Sequence, residues 1–306
     1  MNLGDTVNHD QANEIAEAYL KRWNLSNSPD ERLDNFREQF FSWLSQIPQK
    51  AHPAIIKLLD SFNYYTHEKT NGLLVSLHAI LVERYHLADD DTIYTFVKSK
   101  RQKSNSSNDY WTEYKYLNGL NKEICIVDPD SLESIYWDEI HNIVFIDDCC
   151  GTGKTFCDYI EVRQDRYREK KVFFIALHMM LDAIEQIAEI SEQLDISIEV
   201  INSVIQDKAF SPAVFEDEEK SAIAKKLIIQ VSTDLAIPQK EILGFGNAES
   251  LMAFYNNTPN NTIGIIRYDT NNFFSIFPRE KTVIPGWRAN ANRKKQRQIK
   301  NYNAAL

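Results

Sequence analysis

One stretch of the chain constrains its fold more than any other: residues 143–156, IVFIDDCCGTGKTF. Four apolar residues in a row, Ile143 to Ile146, are followed at once by Asp147 and Asp148. An uninterrupted apolar run of this length indicates a strand that is covered on both faces, as the strands of parallel sheets are. A glycine-rich loop begins two residues later, and a helix is predicted to start near Thr155. The order of strand, acidic pair, loop and helix is typical of the carboxyl edge of an open α/β sheet, where such folds bind ligands.

Similar short apolar runs flank this stretch and alternate with helix-like segments. Strands are predicted for TIYTFVKS (92–99), KEICIV (122–127), KVFFIAL (171–177), ISIEVI (196–201) and TIGIIRY (262–268). Amphipathic helices are predicted for residues 108–118, 153–167 and 179–194. Strand alternating with helix predicts βαβ units. The predicted fold class is therefore α/β, with a mostly parallel sheet flanked by helices.

The chain divides into three regions by pattern and charge. Residues 1–88 are predicted to form a helical N-terminal region, because four segments carry apolar residues at spacings of three and four. These segments are residues 12–23, 35–47, 54–65 and 72–87. Residues 89–280 form the predicted α/β core, and residues 281–306 a basic tail. The tail holds seven of the 34 basic residues and none of the 44 acidic ones, which leaves residues 1–280 with 27 against 44, a net charge of −17.

Charge and composition exclude several classes of protein. A body with a charge of −17 does not suit general binding to nucleic acid, which needs a basic face. No apolar run approaches the roughly 20 residues of a membrane-spanning helix. The first residues are polar and acidic, unlike a signal peptide, and the four cysteines lack CxxC spacing. We therefore expect a cytoplasmic protein with reduced thiols and no membrane association.

The glycine-rich loop has the features of a phosphate site. Glycines allow successive backbone N–H groups to point inward, and the start of a helix adds a partial positive charge. The acidic pair can accept hydrogen bonds from two vicinal hydroxyls, directly or with a divalent ion. A phosphate at one end and a diol at the other describe a ribose 5-phosphate.

Two other interpretations of the loop stay open. A nucleoside-triphosphate P-loop also ends in Gly-Lys-Thr, but it requires a glycine five residues before the Gly of that triplet. Here that position is Asp148, whose charge would repel a phosphate. The other interpretation is a glycine-rich turn that binds no ligand.

The layout of apolar strand, two acids, two variable residues and GTGKT resembles the signature of type I phosphoribosyltransferases. The loop is most similar to that of the hypoxanthine-guanine branch. The resemblance implies that Asp147 and Asp148 hold the ribose hydroxyls, as the catalytic pair, and that the loop holds the 5-phosphate of phosphoribosyl pyrophosphate. The loop residues are Gly151, Thr152, Gly153, Lys154 and Thr155. It also implies Mg²⁺, held mostly by the ligand and not directly by protein side chains.

The sequence departs from that branch at one position. The purine enzymes have an acid directly before Thr-Gly-Lys-Thr, and this chain has Gly151. Purine salvage is therefore not expected.

The likeness extends beyond the signature, from about residue 35 to about residue 280. NGLNKEICIV, LGFGNAESLMAFYNNTPNNTIGIIRY and FPR look like the phosphoribosyltransferase-like domain of bacterial conflict and defence systems, including retron-associated effectors. This resemblance implies an effector in anti-phage defence. Two activities stay open: a phosphoribosyl transferase, and a catalytically inactive nucleotide sensor or scaffold in a nucleoprotein defence complex, which Gly151 favours.

Further candidates lie outside the signature. Phosphoribosyltransferases bind pyrophosphate on a loop after an earlier strand, and Lys98, Ser99, Lys100 and Arg101 follow the first predicted strand. The alternative for this loop is a solvated run of charge. His178, at the end of a later strand, is a candidate for contacting a base or a structural residue. The basic tail is either a solvated end or a contact for nucleic acid or an acidic partner. The family resemblance implies a complex of reverse transcriptase and nucleic acid as that partner.

Overall fold

The computed structural model describes residues 9–23, 29–98 and 106–280. The strands of this part of the chain are β1 (Asn63–Tyr65), β2 (Thr92–Thr95), β3 (Asn142–Cys150), β4 (Lys171–Met180), β5 (Ser197–Gln206) and β6 (Met252–Phe254). Its α-helices are α1 (His9–Trp23), α2 (Phe36–Ser45), α3 (His52–Asp60), α4 (His67–Tyr85), α5 (Ser106–Leu117), α6 (Ser134–Glu139), α7 (Lys154–Glu161), α8 (Gln164–Tyr167), α9 (Leu181–Leu194), α10 (Pro212–Phe215), α11 (Glu218–Asp234), α12 (Gln239–Ile242) and α13 (Gly264–Arg267). None of the described helices combines the length and the apolar content needed to cross a bilayer.

The centre of the molecule is a four-stranded parallel sheet in the order β2-β3-β4-β5. Helices connect consecutive strands, as parallel pairing requires. The predicted α/β class with a parallel sheet flanked by helices is confirmed. Three of the predicted strands, 142–147 before the loop, 171–177 and 196–201, are β3, β4 and β5, and each continues beyond its predicted end.

The sheet is buried on both faces, which explains the unbroken apolar runs of its central strands. Ile143, Phe145 and Phe174 pack with α7 and α9 on one face. Val144 and Phe173 pack on the other face, against α4 and α5. The two central strands therefore present polar groups only near their ends.

Helices α1, α2 and α3 do not pack as a separate unit. They share one core with residues 209–277, and β1 pairs in parallel with β6 to form a second, two-stranded sheet. The indole Nε1 of Trp43 donates to the carbonyl of Ile265 at 3.2 Å. The guanidinium of Arg32 donates to the carbonyls of Phe254 (2.6 Å) and Pro278 (3.0 Å) and to the hydroxyl of Thr258 (2.8 Å).

Two predicted strands are wrong. Residues 122–127 form a 3-10 turn at Lys122–Ile124 and touch the sheet only through the Tyr94–Cys125 bridge. Residues 262–268 contain the short helix α13 and no strand. The run around Ile265 is apolar because it is buried, and a short buried run does not distinguish helix from strand. The last three residues of the predicted helix 54–65 are strand β1.

We expect Arg32→Ala to destabilise the protein by about 2–3 kcal/mol, because the acceptors on the buried residues Phe254 and Thr258 lose charged donors. Arg32→Lys should recover little of this, since an ammonium lacks the fork that reaches three acceptors. Arg37→Ala is the matched control, because Arg37 makes an exposed ion pair with Glu17 worth at most about 1 kcal/mol. Urea unfolding measures all three. Equal effects from Arg32→Ala and Arg37→Ala would contradict the role given to Arg32.

Candidate functional site

The acidic pair lies in the second half of β3, toward the carboxyl edge of the sheet. Asp147 Oδ1 accepts hydrogen bonds from the hydroxyl of Ser107 (2.8 Å) and from the backbone N–H of Asp148 (2.9 Å). Asp148 Oδ1 accepts from the backbone N–H of Cys149 at 2.8 Å. Both carboxylates are therefore fixed by short hydrogen bonds before any ligand arrives.

The regular alternation of β3 breaks at the acidic pair. Phe145 and Cys150 pack in the core on one face, whereas Ile146 and Cys149 contact the core on the other. In a regular strand, residues 145 and 149 would share a face and residue 150 would lie opposite both. The register with β4 includes Asp147 and Cys149 but passes over Asp148. Neighbouring residues of a regular strand point to opposite faces, but at this irregular part of β3 both acids line the same cleft.

The surroundings of the pair disfavour the ionised form of Asp147. Burial raises the pKa of Asp147 well above its usual range, and the charge of Asp148 raises it further, although the Ser107 hydroxyl acts in the opposite direction. Burial and the same two acids also raise the pKa of Cys149. A site of this kind gains from hydrogen-bond donors or a cation beside the acids.

The loop after the pair leads directly into α7. Gly153 has φ 72° and precedes the first helical residue, Lys154. The first bond of the helix runs from the N–H of Cys157 to the carbonyl of Gly153, so the N–H groups of residues 154–156 lie at the helix start without an intrahelical acceptor. These residues line the cleft that contains the acids. The side chain of Lys154, which is exposed, pairs with Asp158 at 3.0 Å.

Three loops interlock around this segment. A Cβ on Gly151 would lie 2.1 Å from the side-chain amide nitrogen of Asn261. A Cβ on Gly244 would lie 2.0 Å from the carbonyl oxygen of Asn261, and one on Gly246 would lie 3.0 Å from Thr152. The phosphate-type loop, residues 244–246 and residues 260–261 are therefore in close contact at their glycines.

The cleft has a volume of about 1010 Å³. Its walls come from the end of β3 and the loop to α7 (residues 147–156), from the start of α5 (Ser106, Ser107, Asp109, Tyr110) and from a distant part of the chain (Phe245, Asn256, Asn257, Pro259, Asn260, Asn261, Arg279, Glu280). A second cavity of about 1000 Å³ adjoins it and shares Phe245, Asn260, Arg279 and Glu280. Arg279 is held by a bond from Nη1 to the carbonyl of Thr258 at 2.7 Å.

The structure brings the signature residues together and leaves other candidates aside. Asp147, Asp148 and residues 151–155 all line the cleft. Lys98 instead pairs with Asp128 at 2.5 Å. The candidates Ser99, Lys100 and Arg101 lie outside the described residues, as does the basic tail, residues 281–306.

His178 is placed away from the cleft. It is fully buried within β4, and its Nδ1 lies 2.9 Å from the hydroxyl of Tyr65. Burial lowers the pKa of His178 to about 3. This position supports the structural interpretation of His178.

Three lining residues were not singled out from the sequence. Ser107 orients Asp147, Phe245 lies exposed between the two cavities, and Arg279 adds a cation to the far wall. Ser107 could have been found as a hydroxyl at the start of a predicted helix. Phe245 lies between two glycines, and Arg279 ends the FPR segment, but neither position has a local pattern that indicates a ligand.

The donor set is compatible with a divalent ion that the ligand itself carries. The described residues contain no group of three or more His, Cys, Asp or Glu side chains arranged to hold a metal ion. Two adjacent carboxylates with a raised pKa for Asp147 still favour a cation in front of them. Mg²⁺ usually keeps several waters or phosphate oxygens and takes only one or two protein carboxylates.

Comparison with known proteins gives one strong match. The model of the family PRTase-CE matches residues 40–279, more than three quarters of the chain. Among solved structures, the chain is similar to the xanthine-guanine-hypoxanthine phosphoribosyltransferase of Helicobacter pylori, with 12% identity and a TM-score of 0.31, over 47% of this chain and 88% of that one. A TM-score this low adds nothing to the family match. No curated protein matches the chain.

We expect Asp147→Asn to be more stable than the wild type at neutral pH. Because the folded-state pKa of Asp147 is raised, the stability that its protonated form contributes is present at low pH and is lost as the pH rises through that pKa. The amide has no proton to lose, so its advantage should grow with pH. Thermal unfolding from about pH 4 to pH 8 covers the window above the unfolded-state value.

Asp138→Asn, on the exposed face of α6, is the control and should follow the wild type at every pH. If Asp147→Asn is less stable than the wild type at neutral pH, the ionised form of Asp147 is not destabilising in the folded protein, and the prediction is wrong.

The interlocked glycines give a second prediction. Gly151→Ala should destabilise the protein by about 1–3 kcal/mol through overpacking. Asn261→Ala in the same chain should restore much of the loss, because the three atoms nearest to the added Cβ belong to the Asn261 side chain. Gly244→Ala should cost more and resist this rescue. Its neighbour is the Asn261 backbone, and its φ 76°, ψ 169° belong to a region open mainly to glycine.

A double-mutant cycle by thermal unfolding measures both pairs. The single variant Asn261→Ala measures the stability that is lost with the hydrogen bond from the Asn261 amide to the Phe245 carbonyl, and this loss is subtracted. Equal rescue of both glycine variants, or of neither, would show that the loops do not pack as described.

Proposed function

The chain belongs to the PRTase-CE family, and we propose that it is a phosphoribosyltransferase-like protein whose cleft binds phosphoribosyl pyrophosphate, or a related nucleotide, together with Mg²⁺. We further propose that this binding serves anti-phage defence, as the resemblance of the sequence implies. The observation that carries the proposal is the placement of Asp147 and Asp148 in one cleft with the start of α7.

The two ends of the cleft suit the two ends of a ribose 5-phosphate. The helix start offers backbone N–H groups and a partial positive charge to the phosphate. The carboxylates accept hydrogen bonds from the 2- and 3-hydroxyls, and bonds to a charged acceptor contribute about 1.5–3 kcal/mol each. Ser107 and the backbone N–H of Asp148 hold Asp147 in place for this contact.

A steric contact explains why residue 151 of the loop is a glycine. No side chain fits at residue 151 while Asn261 stays where it is. The acid of the purine enzymes therefore has no room here, and the missing acid does not by itself indicate a lost activity. It indicates an acceptor other than the purines of that branch.

If a transfer takes place, the bond between the anomeric carbon and the diphosphate breaks, and a bond from that carbon to the acceptor forms. The diphosphate leaves with the bonding electrons, and the acceptor gives up a proton. Mg²⁺ supplies charge neutralisation on the diphosphate. The chain's own contribution is to position the ribose between the acids and the loop, which is the main requirement of such chemistry.

Isothermal titration with phosphoribosyl pyrophosphate and Mg²⁺ tests the binding, with ATP as the control ligand. We expect binding of the first and none of the second, and loss of binding when the metal is removed with a chelator. Binding of ATP alone would favour the P-loop interpretation and overturn the proposal.

Variants locate the site. Asp147→Asn combined with Asp148→Asn should weaken binding at least tenfold while the fold is retained, because the amides keep the size of the acids but lose their charge. Gly153→Val should weaken binding more than Lys154→Ala, since Gly153 requires a positive φ and the Lys154 side chain pairs with Asp158. An unchanged affinity in the double variant would remove the ribose assignment.

A further inference from the structure

Phe245 lies exposed between the two cavities, on a loop whose backbone is held in place. Its side chain is 57% exposed, and it lines both the cleft and the second cavity. The backbone N–H of Phe245 donates to the carbonyl of Asn260 at 2.7 Å, and its carbonyl accepts from the side-chain amide of Asn261 at 3.3 Å. Both polar groups of its backbone are therefore fixed by the facing loop.

The backbone around Phe245 is conformationally unusual. Gly244 and Gly246 have φ of 76° and 65°, and Asn247 and Glu249 have φ of 54° and 52°. Residues with a side chain rarely adopt this left-handed conformation, and glutamate has no special tolerance for it. Strain of this kind persists only where the surrounding structure imposes it, and it clusters at ligand sites. Strained backbone beside an exposed aromatic ring indicates a surface that contacts a ligand.

A guanidinium lies on the wall that the two cavities share. Arg279 lines both cavities, and among the described residues it forms no ion pair. Its Nη1 donates to the carbonyl of Thr258 at 2.7 Å, and its backbone N–H donates to the carbonyl of Arg267 at 2.9 Å. Burial and the charge of Arg267 lower the pKa of Arg279, although Asp148 acts in the opposite direction. An anion that enters the cavity would stabilise the charged form of Arg279.

The second cavity differs from the cleft in the charges along its wall. Arg267, which is 2% exposed, lines only the second of the two cavities and pairs with Glu241 at 2.8 Å. Of the other two acids on this wall, Asp269 accepts two hydrogen bonds from one serine, and Glu280 is exposed. Arg279 is therefore the buried charge of this wall that an anionic ligand can pair with.

We propose that the second cavity is the acceptor site of the transfer, and that it binds a planar aromatic ring carrying an anionic group, a carboxylate or a phosphate. The ring stacks on Phe245, because aromatic side chains favour offset stacking with planar groups. The anionic group contacts Arg279, because a guanidinium matches carboxylate and phosphate oxygens with two parallel hydrogen bonds. The inference rests on the proposed function, since it requires the ribose in the adjoining cleft.

The shared wall allows the two substrates to meet. A ring on Phe245 lies next to the space that the ribose would occupy, because Phe245 and Arg279 line both cavities. An atom of the ring forms a bond to the anomeric carbon, and the bond to the diphosphate breaks. The diphosphate takes the bonding electrons and the proton that the ring atom loses. Gly151 offers no side chain on the loop side, so recognition of the acceptor falls to the wall of Phe245 and Arg279.

Saturation-transfer NMR on the full chain tests the inference with benzoate, phenyl phosphate, benzamide and cyclohexanecarboxylate. The first two differ in the anionic group, benzamide lacks the charge, and cyclohexanecarboxylate lacks the planar ring. We expect benzoate or phenyl phosphate to bind about tenfold more tightly than benzamide and about fivefold more tightly than cyclohexanecarboxylate. The tighter of the two anions identifies the anionic group and is the preferred probe. Equal binding of all four compounds, or binding of none, overturns the inference.

Variants locate the probe. Phe245→Leu should weaken binding of the preferred probe about fivefold, and Phe245→Tyr should retain it, because leucine keeps the apolar volume and tyrosine keeps the ring. Arg279→Gln should remove the preference for the anion over benzamide. Phe274→Ala is the matched control, because Phe274 is 67% exposed and lines neither cavity, and it should bind as the wild type does. Thermal unfolding checks that each variant is folded. Wild-type affinity in folded Phe245→Leu overturns the inference.

Competition with phosphoribosyl pyrophosphate separates this inference from the proposed function. The preferred probe should stay bound when phosphoribosyl pyrophosphate and Mg²⁺ saturate the cleft. Displacement of the probe would assign Arg279 to the diphosphate, and would overturn the inference while the proposed function stands. A chain that binds the probe through Phe245 but does not bind phosphoribosyl pyrophosphate would overturn the proposed function, and the acceptor role with it.

Discussion

The burial of β3 on both faces is the constraint on which the rest of this structure depends. Helices cover each side of the strand, so its interior residues are apolar without alternation. The first place at which the strand can present charged groups to a ligand is its carboxyl end, and Asp147 and Asp148 lie there. The sheet edge, the acids and the start of α7 are consequences of one buried strand that stops at the surface.

The wall opposite the acids depends on the close approach of three loops at glycine positions. Gly151, Gly244 and Gly246 each lie where a side chain would meet another loop. The residues around them are also conformationally unusual, since Asn247 and Glu249 have positive φ. Glu249 is buried and pairs with Lys225 at 2.5 Å, which ties this wall to α11. Such a wall resists small adjustments and holds Phe245 exposed between the two cavities.

The sequence revealed those parts of the molecule whose signals are local. The apolar runs of β3, β4 and β5 predicted the sheet, and the residues after Ile146 predicted which side chains line the cleft. Strands β1 and β6 have three residues each and form only because distant segments meet, so no local pattern marks them. Arg279 likewise lines the cleft from a distant segment, without a local pattern that indicates a ligand. Gly151 is instructive, because the sequence suggested a lost function and the structure shows a neighbour, Asn261, that leaves no room for a side chain.

The sharing of one core by the two ends of the described chain affects how the protein is made. Arg32 binds the carbonyl of Phe254 across 222 residues of sequence, and β1 pairs with β6, which is synthesised much later. During synthesis on the ribosome, helices α1 to α3 emerge first. Their apolar surface stays exposed until the later residues of the shared core have been synthesised. Native contacts between segments so far apart in sequence form slowly, and the waiting surface is prone to misassembly. A truncated product that ends before residue 252 would carry the acidic pair and the loop, but would lack most of the far wall of the cleft and the part of the core that residues 253–277 form.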